Sequence, residues 1–263
     1  MQIRIGTSGW HYKHWTGRYY PADIKPPDML AFYLRDFDTV ELNNTFYHLP
    51  KETSFDAWRK SVPANFVFAV KGSRFLTHMI KLKDPDRGIW NFLPRAQRLG
   101  RKLGPILWQL PPGWNVNLER LEEFLEKLPR GPRYAFELRN QSWMTDEVYG
   151  VLHKHNAAVC IYELAGYQSP IEITASWTYV RLHGPTRFKY RGSYSDRQLA
   201  AWAKRIDNWS AKLQAAYVYF DNDDSAFAVK NALTLKRMVG QTTAASSRRR
   251  VVRESAAASI RRR

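Results

Sequence analysis

Short segments in which apolar and other residues alternate recur along the chain, and most are followed by a stretch with helical spacing. Ile3–Ser8 (IRIGTS) opens the series. In Thr39–Pro50 (TVELNNTFYHLP), Val40 and Leu42 alternate with Glu41 and Asn43 until Asn43-Asn44 and Pro50 interrupt the run. A period of two marks a strand with two distinct faces. Phe66–Gly72, Gly104–Leu110, Tyr134–Asn140, Ala157–Tyr162, Thr178–Gly184 and Ala215–Asp221 continue the pattern. Between these segments, apolar residues fall three and four apart, as on one face of a helix. Examples are Leu30, Tyr33, Leu34 and Phe37 within Pro26–Phe37, and Leu118, Leu121, Leu125 and Leu128 within Leu118–Leu128, which Asn117 can cap. Further helices are predicted over Thr53–Val62, over Ile89–Leu103 with a bend at Pro94, and within Thr145–His155. The capping box Ser195-Asp196-Arg197-Gln198 opens another that runs to Leu213, and the last runs from an Asp224 cap to Gly240. Ser73–Gly88 reads as a long loop.

Eight strands alternating with about seven helices predict an α/β fold, a (β/α)8 TIM-type barrel. A doubly wound open sheet is the rival, but no G-x-G-x-x-G turn follows the first strand. One unit is irregular. Glu163–Ser176 contains Gly166 and Pro170 and has no helical stripe, so the helix between strands six and seven is expected to be short or missing. Residues 1–240 form the barrel domain, and Gln241–Arg263, with little apolar mass, is expected to be a disordered Arg-rich tail.

In a parallel sheet covered on both faces, inward positions should read Val, Ile or Leu. Here the strand ends carry Glu41 and Asn43, Lys71, Gln109, Glu137 and Arg139, Arg181 and His183, and Tyr219, Asp221 and Asn222, with Glu163 just past strand six. Inward side chains at the C-terminal ends of barrel strands point into the mouth, where reacting groups sit. The two-residue spacing of Glu137/Arg139 and of Arg181/His183 places each pair on one face. Charges buried there must pair, bind a ligand or stay wet, because an unpaired buried charge costs several kcal/mol. A plug of ion pairs is the alternative to a reactive site.

The loops add aromatic and basic residues. Trp10, His11, Tyr12, His14, Trp15, Tyr19 and Tyr20 crowd the loop after the first strand, either to stack on a ligand or to pack over the rim. Arg74 and His78 follow strand three, and His78 is a candidate acid or base near neutral pH. Arg187, Lys189 and Arg191 follow strand seven, the usual phosphate region of such barrels.

Composition narrows the setting. With 263 residues, 44% of them hydrophobic, the chain can bury one large core. No apolar run reaches the roughly 18 residues of a membrane span, so no membrane partner is expected. Cys160 is the single cysteine, which excludes an internal disulfide framework and fits a reducing compartment, the cytoplasm by default. The net charge is +17, of which the seven Arg and one Glu of Gln241–Arg263 supply +6. The remaining positive field concentrates anions near the surface. No Walker A, G-x-S-x-G or Cys/His zinc spacing is present.

The stretches GTSGWHYKHWTGRYYP, FDTVELNNTFYHLP, FVFAVKGSRFLTH, LGPILWQLPP, YAFELRNQSW, TYVRLHG and YVYFDND jointly resemble the YecE-like family, domain of unknown function 72, from Ile3 to about Val239. The resemblance implies a TIM-type barrel and no established reaction. Ala226 and Phe227 stand where that family commonly reads Gly-Tyr.

The leading expectation is an enzyme acting on an anionic small molecule, sugar- or nucleotide-phosphate-like, by general acid/base chemistry. Glu41, Glu137, His183, Asp221 and Lys71 are the catalytic candidates. Asn43, Gln109, Arg139, Arg181, Trp10, Trp15, Tyr219, Asn222 and His78 are the binding candidates. No cofactor is predicted: Glu41, Glu137, His183 and Asp221 could ligate a divalent cation, but Lys71, Arg139 and Arg181 compete for the same carboxylates. A nucleic-acid-binding or -processing protein, with non-specific contacts through the Arg-rich tail, is the second reading. A non-catalytic scaffold is the third. The oligomeric state is left open.

Overall fold

A computed structural model of the protein describes residues 1–241. The Arg-rich tail read as disordered lies, from residue 242 onward, outside them. Nine strands occur in chain order: β1 (Gln2–Thr7), β2 (Thr39–Leu42), β3 (Val67–Lys71), β4 (Leu103–Leu110), β5 (Tyr134–Leu138), β6 (Ala158–Leu164), β7 (Tyr167–Gln168), β8 (Trp177–Leu182) and β9 (Ala215–Phe220). All but β7 are parallel and pair in the order β1-β9-β8-β6-β5-β4-β3-β2. The two ends of that series meet at a seam between β1 and β2. There a Ser8–Glu41 bridge and the bond from Gly9 N–H to the Glu41 carbonyl, 2.8 Å, close the barrel. Gly6 makes this approach possible, because a Cβ there would sit 2.5 Å from the Thr39 carbonyl oxygen.

The helices are α1 (Met29–Tyr33), α2 (Asn44–Tyr47), α3 (Glu52–Lys60), α4 (Asp86–Gln97), α5 (Leu118–Lys127), α6 (Asp146–Lys154), α7 (Asp196–Trp209) and α8 (227–241). The caps read from the sequence form: the Asn117 side chain accepts from Arg120 N–H, and Ser195 and Gln198 make a reciprocal capping box. No helix joins β6 to β8. The strand β7 folds back on β6 through a turn at Ala165 and Gly166 instead, both with positive φ.

Several boundaries differ from the sequence pattern. Pro26–Asp28 is a 3-10 turn ahead of the short α1. A single helical turn, α2, follows β2, and the loop after β3 winds into a π-type turn over Phe75–Met79. The helix α4 starts at Asp86, contains Pro94 and ends at Gln97. The helix α7 stops at Trp209, short of Leu213. Asp224 does not cap the last helix, because Ala226 has φ 58° and regular helix begins only at 227; Gly240 lies inside that helix. The left-handed conformation of Ala226 is the one a glycine adopts without strain, at the position where the sequence departs from the family pattern.

Two apolar bodies result. The outer faces of the strands (Ile5, Val40, Val70, Ile106, Trp108, Phe136, Val180, Val218) pack against the helices. The barrel interior is filled separately, with Ala69, Ala135, Ala158 and Cys160 making room for Trp177, Tyr179, Tyr217 and Tyr219. Large side chains from β8 and β9 therefore cross to small ones on β3, β5 and β6. The floor this makes lies under the polar strand ends. Among the described residues, no helix is long and apolar enough to cross a membrane.

Candidate active site at the barrel mouth

The polar layer above the floor is centred on Arg181 of β8, which is fully buried. Its Nε lies 3.0 Å from Glu41 Oε2 and its Nη2 2.7 Å from Glu41 Oε1. Nη1 donates to Glu137 Oε2 at 2.7 Å, and Nη2 also reaches Asp221 Oδ2 at 3.1 Å. Arginine carries five N–H donors in a fixed fork, and here every nitrogen faces a carboxylate. Tyr179, two residues earlier on the same face, donates to Glu41 Oε2 at 2.6 Å. Ser8 donates to Glu41 Oε1 and accepts from the Asn43 amide.

His183 shares this layer. Its Nε2 is 3.3 Å from Arg181 Nη1 and 3.4 Å from Arg139 Nη2. Guanidinium groups only donate, so the geometry assigns Nε2 as acceptor and the ring proton to Nδ1. That nitrogen lies 2.9 Å from Asp221 Oδ2, off the axis of an ideal hydrogen bond. Arg139 Nε pairs with Glu137 Oε1. Burial alone would raise the pKa of Glu137, but Arg139 and Arg181 outweigh it and hold the group well below the usual carboxylate range. Asp221 is likewise held low: Arg181 and His183 overcome the effect of burial. Among the described residues, no three His, Cys, Asp or Glu side chains gather as a cation site; these carboxylates surround a guanidinium instead.

The residues named from the sequence thus separate by depth. Glu41, Glu137, Arg181 and His183 are sealed, each 0% exposed. Lys71 (7%), Gln109 (8%) and Asp221 (7%) keep some access to the mouth, as does the Arg139 side chain (9%). Lys71, Gln109 and Arg139 stand at the ends of the adjacent strands β3, β4 and β5. The Lys71 ammonium lies 4.3 Å from the centroid of Phe46. Desolvation, and then the charge of Arg181, pull its pKa down to about 8.

His78 stands beyond Phe46, edge-on to it at 5.0 Å, with Nδ1 2.9 Å from Thr77 Oγ1. Burial, followed by Arg74, Lys71 and Arg139, lowers its pKa to about 4. It is therefore neutral at pH 7, which of the two roles read from the sequence, acid or base, favours the base.

Three other candidates do not face the opening. Tyr219 lies a layer lower, with its hydroxyl 2.7 Å from Thr39 Oγ1. Asn222 ties the end of β9 to Gly192 O and Asn231 Oδ1. Trp15 is fully buried between Tyr12, Tyr19 and Tyr20, and its indole N–H reaches the Asp223 carbonyl at 3.2 Å. Trp10 is different. With Gly9, Tyr12, Asn43 and Trp58 it lines a cavity of about 440 Å³ beside the β1 and β2 ends. Arg187, Lys189 and Arg191 are exposed in the loop after β8.

Four residues of this end lie outside the candidates named above. Ser8, Tyr179 and Asp223 each stand two residues from a residue at an inward position (Gly6, Arg181 and Asp221), so the strand period was a usable signal. Burial, then the neighbouring Asp221 charge, raise the Asp223 carboxyl to about 6. Tyr190 carries no local signal. It comes over the mouth with φ 64° and its ring 5.5 Å from that of His183.

Comparisons with known proteins agree with this architecture. YecE of Escherichia coli K12 is 30% identical over 139 residues, covering 52% of this chain, and the match spans about half (48%) of that relative's length. YunF of Bacillus subtilis is 24% identical over 273 residues, covering 87% of this chain and 92% of that one. A crystal structure of a DUF72 family protein from Thermotoga maritima superposes with a TM-score of 0.83 at 28% identity, over 91% of this chain and all of that one. One from Enterococcus faecalis gives 0.79 at 19% identity, over 91% and 96%, a likeness of fold. The family model described as protein of unknown function DUF72 matches residues 4–255. With nearly the whole sequence inside that match and YecE and YunF among its relatives, the chain belongs to the YecE-like DUF72 family.

Proposed function

We propose that the protein is an enzyme that binds an anion-bearing small molecule at the C-terminal mouth of the barrel and transforms it by acid/base chemistry. The observation that carries this reading is the contrast between two layers. Below, Arg181 is saturated by Glu41, Glu137 and Asp221. Above, Lys71 and Arg139 retain donors that no carboxylate takes up, and Gln109 stands between them. A structural plug needs only the first layer. Cations held without full neutralisation at the entrance attract an anion, and a guanidinium suits the bidentate contact that carboxylate or phosphate offers.

In this reading Lys71, Gln109 and Arg139 contact the anionic group, and the Trp10 cavity takes the remainder of the molecule. Asp221, ionised and partly accessible, is the base. Asp223, with a pKa near neutrality, is a proton donor or acceptor. Glu41, Glu137, Arg181 and His183 are positioning residues that hold Arg139 and Asp221.

The test is thermal shift with inorganic phosphate, sulfate and a sugar phosphate on the wild type, Arg139→Gln and Arg187→Gln. Stabilisation of the wild type and of Arg187→Gln, lost in Arg139→Gln, is expected. No stabilisation of the wild type, or an equal response in Arg139→Gln, overturns the reading.

A further inference from the structure

Lys71 stands out among the charged residues of the mouth. Its ammonium is buried, and among the described residues no carboxylate oxygen lies within 4.0 Å of it. Glu41, Glu137 and Asp221 all turn towards Arg181 instead. What faces Nζ closely is the ring of Phe46. An ammonium shut off from water and acted on by the Arg181 charge is destabilised relative to the free amine, and the attraction of the Phe46 ring face offsets only part of that. Those two conditions, desolvation and a neighbouring positive charge, are the ones that turn a lysine into a nucleophile. A lysine serving only as an electrostatic clamp would be better placed beside a carboxylate that keeps it charged.

We propose that Lys71 Nζ forms an imine with the carbonyl carbon of an aldehyde or ketone that also carries a carboxylate or phosphate group, with Arg139 holding the anion. The inference rests on the anion-binding reading given above and names the substrate class of that site. The lone pair of the neutral amine attacks the carbonyl carbon. The carbonyl oxygen takes a proton, and the nitrogen gives one up, to form a carbinolamine. A second protonation of that oxygen releases water and leaves an iminium ion, so one water departs for each carbonyl bound. Gln109, between Lys71 and Arg139, is placed to hold the carbinolamine hydroxyl. Asp223 and Asp221 supply and accept the protons. The iminium then withdraws electrons from the adjacent carbon, which makes that carbon's proton or carbon–carbon bond labile.

The experiment uses the full chain at pH 7.5 with glyoxylate or glycolaldehyde phosphate as probe and sodium cyanoborohydride as trap. Hydride transfer to the iminium carbon fixes the adduct as a secondary amine, which peptide mass mapping locates. Unactivated surface lysines such as Lys25 and Lys189 give the background rate. Labelling of Lys71 at least tenfold faster than at either, slowed by inorganic phosphate and absent from that peptide in Lys71→Arg, is expected. The rate should rise with pH to a midpoint near 8. Neutral glycolaldehyde should label Lys71 at least fivefold more slowly than its phosphate. Labelling of Lys71 no faster than Lys25 overturns the imine, while an Arg139-dependent phosphate shift would still leave the anion-binding reading standing. Equal labelling by glycolaldehyde and its phosphate overturns the assigned substrate class.

Discussion

Arg181 and Glu41 meet across the barrel in a forked contact, Nη2 to Oε1 at 2.7 Å and Nε to Oε2 at 3.0 Å, with both side chains fully buried. The same guanidinium also holds Glu137 and Asp221. Lysine in its place keeps the charge but offers donors from a single point, which cannot span three carboxylates. Arg181→Lys is therefore expected to lose about 3–5 kcal/mol of stability, the usual cost of breaking a buried ion pair from one side. Urea unfolding at pH 7 measures it. A loss below about 1 kcal/mol, the scale of an exposed pair, would mean that the network is solvated.

The seam offers a second test. Alanine at position 6 would place its methyl 2.5 Å from the Thr39 carbonyl oxygen, a backbone atom that cannot rotate away. The strands β1 and β2 must then separate, which strains the Ser8–Glu41 bridge. Gly6→Ala is expected to cost about 3 kcal/mol, at the upper end for overpacking. The amide of Gly9, which bonds the Glu41 carbonyl, should exchange its hydrogen faster in the variant. Wild-type stability together with wild-type exchange at Gly9 would show that the barrel closes without this contact.

The fold was legible because each strand's period of two survives around the barrel, and even the missing helix after β6 announced itself through Gly166 and Pro170. Boundaries were less legible where a backbone conformation rather than a pattern decides them. Ala226 delays α8, and nothing in its identity signals a positive φ. The convergence of Glu41, Glu137, Arg139, Arg181, His183 and Asp221 was readable from inward positions alone. Their depth was not. Sequence spacing says which face Arg181 shares with His183, but only the packing of Glu41, Glu137 and Asp221 around it shows that its donors are spent. The anion-contacting role expected of Arg181 is accordingly assigned, in the function proposed above, to Arg139, one layer nearer the opening. Tyr190 was invisible for another reason, since its place over His183 depends on how a Gly- and Pro-bearing loop closes.

His78 makes a prediction in acid. Its folded pKa of about 4 lies below the ordinary 6.5, so between these values the unfolded chain binds a proton that the folded chain refuses. Stability rises with pH across that window and is lost as pH falls from about 6.5 towards 4. His78→Gln removes the titration. Comparing melting temperatures of the two proteins from pH 7 to 4 should show the wild type falling more steeply. The effect is modest, because the ring is half-exposed and solvent screens it. Parallel curves would place His78 in an environment no different from water.

Lys71 makes a prediction of the same sign in base. Its pKa falls from 10.5 to about 8 on folding, through desolvation first and the Arg181 charge second. Below pH 8 both states carry the proton, and the folded protein bears the full cost of a buried cation. That cost is about 3 kcal/mol, the free-energy equivalent of the fall in pKa. Between pH 8 and 10.5 the folded chain has lost the proton while the unfolded chain still holds it, so stability rises with pH and the cost disappears. Lys71→Met removes the charge and sets a flexible thioether against the Phe46 ring, a favourable contact. The variant should therefore be more stable than the wild type by up to about 3 kcal/mol at pH 7, with the gap closing as pH approaches 10.5. Denaturant titrations of both proteins at pH 7, 8.5 and 10 measure the gap, and the difference cancels the other groups that ionise in that range. A buried ammonium kept at a cost to folding is what the proposed nucleophile requires. If Lys71→Met is no more stable at neutral pH, or the gap does not change with pH, the ammonium is solvated, and both the depressed pKa and the nucleophile argued from it are lost.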